Sequence, residues 1–152
     1  MRLAPSSWSL LACILLAGGP AAAEGPKFTV EGISFKLWDE AAGKMVAFDK
    51  APNPYGLNLT LMIVVKIKGP TRTEGSEPLL KLEAAAPARS DEATGSHPPW
   101  KLSQSRALTP VGDKGISYVL FVAPYECVTS ATFTASVGAS SKKVKQDLPC
   151  AE

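Results

Sequence analysis

Apolar and polar side chains alternate along much of this chain. Leu57, Leu59, Leu61, Ile63, Val65 and Ile67 interleave with Asn58, Thr60, Met62, Val64, Lys66 and Lys68. A period of two predicts a strand with one fully apolar face. The other face is also apolar at Met62 and Val64, so the strand centre is expected to be covered on both sides. Phe28 to Trp38 predicts an earlier strand, whose apolar positions switch from Phe28 and Val30 to Ile33, Phe35 and Leu37. A β-bulge near Gly32 explains that switch. Asp39 to Lys44, containing Gly43, predicts a turn into a short strand, Met45 to Phe48.

Further along, Pro78 to Ala85 carries a weaker alternation through Leu80 and Leu82. Tyr118, Leu120 and Val122 alternate with Val119, Phe121 and Ala123 in a stronger one. Val111-Gly112-Asp113-Lys114-Gly115 has hairpin chemistry, which predicts that Lys101 to Leu108 pairs with the strand after it. The polar stretch Ala86 to Pro99 reads as the least ordered internal segment, a mobile loop. Prolines at 52, 54, 70, 87, 98, 99, 110 and 124 mark connections, and no amphipathic helix lies between them. About seven or eight short strands punctuated this way predict an all-β fold, a single antiparallel β-sandwich. In strand count and alternation the pattern resembles immunoglobulin-like and fibronectin-type-III-like sandwiches. It lacks the Cys…Trp…Cys core signature of antibody domains.

The last two strands carry their own register. A hairpin turning between Gly138 and Ala139 sets Phe133 opposite Val144, Ala131 opposite Gln146 and Thr129 opposite Leu148. Ala131, Phe133, Ala135 and Val137 then share a face with Cys127, joined by Val144, Leu148 and Cys150. This register predicts a Cys127–Cys150 disulfide facing the core. By loop entropy such a bond stabilises the fold by about 3 kcal/mol, against a typical domain stability of about 5–15 kcal/mol.

The amino terminus agrees with an oxidising destination. Arg2 precedes an apolar run from Trp8 to Leu16. Gly18, Gly19 and Pro20 then break it before Ala21-Ala22-Ala23. Residues 1–23 therefore read as a cleaved secretory signal peptide, leaving 24–152 as one domain. The run is too short for a membrane-spanning helix. A lipoprotein signal ending at Cys13 competes, but cleavage there would leave Ile14-Leu15-Leu16 as an apolar start. The expected location is secreted or periplasmic.

The net charge of +2 across 152 residues gives no basis for strong attraction to nucleic acid or anionic lipid. Catalytic chemistry is sparse. His97 is the one histidine, in Gly95-Ser96-His97-Pro98-Pro99-Trp100. Ser90, Asp91 and Ser96 lie near it, yet no Gly-x-Ser-x-Gly elbow accompanies them. One histidine and a paired set of cysteines fall short of a structural zinc site. Loop carboxylates at Asp39, Glu40, Asp91 and Glu92 form no Asp-x-Asp-x-Asp calcium run. No metal and no cofactor are expected.

Two surface features remain. Lys142, Lys143 and Lys145 sit on the terminal strand, with Lys143 and Lys145 facing away from the core, where lysines keep an edge soluble. Tyr55, Trp100 and Tyr125 lie in or beside Pro-rich connections. Together they could stack on a sugar or grip a peptide, or they could cap the core. Asn58-Leu59-Thr60 is a glycosylation sequon placed in mid-strand. The functional expectation is a non-enzymatic binding or structural module that meets an envelope or extracellular protein or glycan through its loops or an edge strand. A small secreted enzyme inhibitor and a hydrolase built on His97 are the competing readings.

Overall fold

A computed structural model describes residues 27–48, 58–70, 78–91, 95–108, 114–126 and 128–148. Ten strands run through them: β1 Thr29–Asp39, β2 Lys44–Val46, β3 Leu59–Lys68, β4 Leu79–Ala86, β5 Arg89–Asp91, β6 Gly95–His97, β7 Trp100–Ala107, β8 Ile116–Pro124, β9 Val128–Val137 and β10 Ser140–Leu148. They form two four-stranded antiparallel sheets, β2-β1-β3-β8 and β10-β9-β4-β7, and a two-stranded ribbon, β5-β6. The sheets face each other as a β-sandwich.

Alternation builds the core. Leu59, Leu61, Ile63, Val65 and Ile67 of β3 are buried, as are Leu80, Leu82, Ala84 and Ala86 of β4 and Ala131, Phe133, Ala135 and Val137 of β9. Each large aliphatic side chain so enclosed contributes about 1.5–3 kcal/mol. Phe133 of one sheet meets Phe35 of the other at 4.7 Å between ring centres. The outer face of β3 is different. Met62 and Val64 are only half-buried there, and Trp38 and Val122 beside them are exposed.

The register of β1 on β3 shifts between Val30 and Gly32, so the bulge expected near Gly32 is present. Glu31 is the extra residue. Its carboxylate reaches Lys66 Nζ at 2.8 Å, and this hydrogen bond is the main reason its pKa lies below the ordinary glutamate value. Asp39 ends the strand: its buried carboxylate accepts from the Ala41 and Ala42 amides at 3.0 Å, tying down the turn. Gly43 completes that turn at φ +60°, a left-handed conformation that glycine adopts without strain.

The final hairpin turns at Gly138-Ala139, with Gly138 at φ +54°. Phe133 pairs with Val144 and Ala131 with Gln146, as the sequence predicts. One pair differs: Leu148 lies opposite Val128, not Thr129. A bulge on β9 inserts a residue before Ala131 and moves the end of the ladder by one. Cys127 and Cys150, and the disulfide expected between them, lie outside the described residues.

A second correction concerns β7 and β8. They do not pair across the turn between them. β7 joins β4 in one sheet and β8 joins β3 in the other. The connection crosses from sheet to sheet, and at this side Gln104 Nε2 of β7 donates to the Val122 carbonyl of β8 at 2.8 Å.

Candidate functional site

The polar stretch after β4 builds one wall of a cleft. Arg89 to Asp91 pairs with Gly95 to His97, giving the short β5-β6 ribbon, with Arg89 opposite His97. Pro87 precedes the ribbon and Pro98-Pro99 follows it, and none of the three can donate a ladder hydrogen bond. The chain therefore leaves the main sheet, forms the ribbon and re-enters at Trp100, which pairs with Ala86.

Between ribbon and sheet lies a cleft of about 520 Å³, lined by Arg89, His97, Trp100, Glu126, Ser130, Thr132 and Lys145, with Ala86, Val128 and three prolines. Its floor follows from strand alternation. Ala131 and Phe133 point into the core, so Ser130 and Thr132 sit on the opposite face of β9. Lys145 is paired with Thr132 and brings β10 to the same place. The sequence assigned Lys145 only to a solvated outer face. In the fold that face is the cleft wall.

Trp100 has two roles in this geometry. Its indole is 6.1 Å from the Phe133 ring and tilted by 59°, and Phe133 in turn meets Phe35 across the core. The indole is thus held by packing while lining the cleft. Tyr125 is placed elsewhere. It packs against the core, its amide donates to the Leu59 carbonyl at 3.2 Å, and burial pushes its hydroxyl up to about 12. It does not line this cleft. Tyr55 lies outside the described residues.

The cleft combines an indole face, hydroxyl groups, one carboxylate and basic side chains. That is a lining able to orient a polar ligand with a flat apolar portion. His97 and Ser130 both line it, while Ser96 is exposed on the ribbon. Among the described residues, no three His, Cys, Asp or Glu side chains gather as a metal site requires. No helix among them is long and apolar enough to cross a membrane. In comparisons with known proteins, no family model, curated sequence or solved structure matches this chain.

Proposed function

We propose that this chain is an exported, non-enzymatic binding module that holds a glycan or a short peptide segment in the cleft beneath the β5-β6 ribbon. The observation that carries the reading is the cleft itself, about 520 Å³ between a ribbon and a sheet face. Ligand sites commonly occupy about 300–1,000 Å³, with apolar walls and a few placed polar groups. Trp100 supplies a fixed aromatic surface, and Ser130, Thr132 and Lys145 supply donors on a rigid sheet. Sites built on strands hold their geometry better than sites on loops.

The strand order supports an immunoglobulin/fibronectin-III-like type. Of the seven long strands in chain order, the first, second and fifth (β1, β3, β8) form one sheet. The seventh, sixth, third and fourth (β10, β9, β4, β7) form the other. This is the immunoglobulin division with the fourth strand carried by the second sheet. Export through the leader at 1–23 and a Cys127–Cys150 bridge belong to the same reading. Extracellular sandwiches commonly place their ligand sites in the loops at one end.

The test is a screen of oxidised, leaderless protein on glycan and peptide arrays beside the Lys145→Glu and His97→Ala variants. The expected result is a defined set of ligands, lost in Lys145→Glu and retained, though weakened, in His97→Ala. Turnover of a ligand that stops in His97→Ala would favour a hydrolase instead.

A further inference from the structure

We propose that a second copy of this chain pairs with β8, antiparallel and centred on Leu120, joining two β2-β1-β3-β8 sheets into one. The argument begins with how the sandwich treats its edges. A strand edge presents unpaired amides and carbonyls, and proteins blunt it with short strands, lysines or covering side chains. β2 is only 3 residues long. The part of β1 beyond β2 is covered, because Val30 N donates to Ser140 Oγ at 3.0 Å and Lys142 Nζ donates to the Glu31 carbonyl at 2.6 Å. β10 carries Lys142, Lys143 and Lys145, and β7 carries Lys101 and Arg106.

β8 is unlike these. Its 9 residues, Ile-Ser-Tyr-Val-Leu-Phe-Val-Ala-Pro, include no acidic or basic side chain. Its register on β3 runs without a shift from Ile116 to Pro124, so no bulge twists the edge away. Two flanking bonds set the phase of the ladder: Tyr125 N donates to the Leu59 carbonyl, and Gly69 N donates to the Gly115 carbonyl. Odd-numbered residues of β8 therefore bond to β3. By strand alternation, the backbone groups of Tyr118, Leu120 and Val122 point outward. Gln104 holds one of those outward groups, the Val122 carbonyl.

The occupant follows from complementarity. Paired about Leu120, β8 sets Leu120 against Leu120 of the second copy and Tyr118 against its Val122. On the other face, Val119 meets its Phe121 and Ser117 its Ala123. Aromatic–β-branched and apolar pairs stabilise antiparallel ladders, whereas like charges placed opposite destabilise them. No such charge pair arises here, and one two-fold axis satisfies both chains. Pairing β10 with itself would bring lysines together. On the outer face Tyr118 is 68% and Val122 41% exposed, so both are free of the core.

The test uses the leaderless chain in sedimentation equilibrium. Wild-type protein is expected to associate reversibly to a dimer. Tyr118→Lys combined with Val122→Lys sets lysine against lysine twice and weakens the dimer at least about tenfold, which is about 1.4 kcal/mol. The Tyr118→Glu, Val122→Glu chain does the same, and mixing the two restores a mixed dimer. Hydrogen exchange on the unsubstituted chain checks this without any variant. The Tyr118, Leu120 and Val122 amides gain protection as concentration rises. Wild-type protein that stays monomeric at its highest soluble concentration, or a dimer indifferent to the lysine pair, overturns the proposal. A lysine-sensitive dimer without added protection at the Tyr118, Leu120 and Val122 amides would place the contact on the outer sheet face, where Trp38 and Met62 lie beside Val122, and would also overturn the proposal.

Discussion

Gln104 of β7 and Val122 of β8 are joined by a 2.8 Å hydrogen bond although their strands belong to different sheets. Among the described residues no backbone ladder joins β7 to β8, and side chains bridge the two strands. Arg106 lies over the Phe121 ring at 5.8 Å in the same seam. On the opposite side Ser140 and Lys142 reach β1 in a similar way. Polar side chains on the inward faces of edge strands therefore connect the two sheets.

Removing one of these connections has a modest expected cost. A typical intramolecular hydrogen bond contributes about 0.5–1.5 kcal/mol net. Gln104→Ala is expected to lower stability by about that amount in urea denaturation, with an unchanged m-value. A loss well above it would mean that Gln104 also orders the chain between the two strands.

Tyr125 makes the fold sensitive to alkaline pH. Its folded pKa is pushed up to about 12 by burial, from an ordinary value of 10.0. Its share of stability is therefore fully present below about 10 and is lost as pH rises toward 12. A spectrophotometric titration should show a late-ionising tyrosine that is absent in Tyr125→Phe. Persistence of that late step in Tyr125→Phe would contradict the assignment.

The cysteine pair yields a chemical prediction. Non-reducing mass spectrometry of exported protein should recover Cys127 and Cys150 in one linked peptide. Reduction should then lower stability by about 3 kcal/mol, the loop-entropy value. Two free thiols in exported protein would remove the bridge from the proposed function.

Much of the sandwich was legible because burial leaves a period-two record. Leu59 to Ile67 and Ala131 to Val137 announce their inner faces, and the switch around Gly32 announces its bulge. Turn chemistry was legible where it closes a hairpin, as at Gly138-Ala139. It misled at Val111 to Gly115, because a good turn sequence does not say which sheet receives the next strand. Val128 opposite Leu148 was hidden for a related reason: a bulge on β9 leaves no apolar signature in so short a run. The cleft was the least legible feature. Arg89 and His97 meet Ser130, Thr132 and Lys145 only through the folding of the ribbon over distant strands. Trp100, next to Pro98-Pro99, His97 and Lys145 could each be singled out beforehand, but nothing in the local sequence brings them to one place.

The most direct test of the binding cleft is an NMR titration with the tightest glycan or peptide recovered from the arrays. The cleft reading predicts shifts at the Trp100 indole N–H and at the amides of Arg89, His97, Ser130, Thr132 and Lys145, saturating together. Shifts confined instead to Trp38, Met62 and Val122 on the outer face of the other sheet would contradict it.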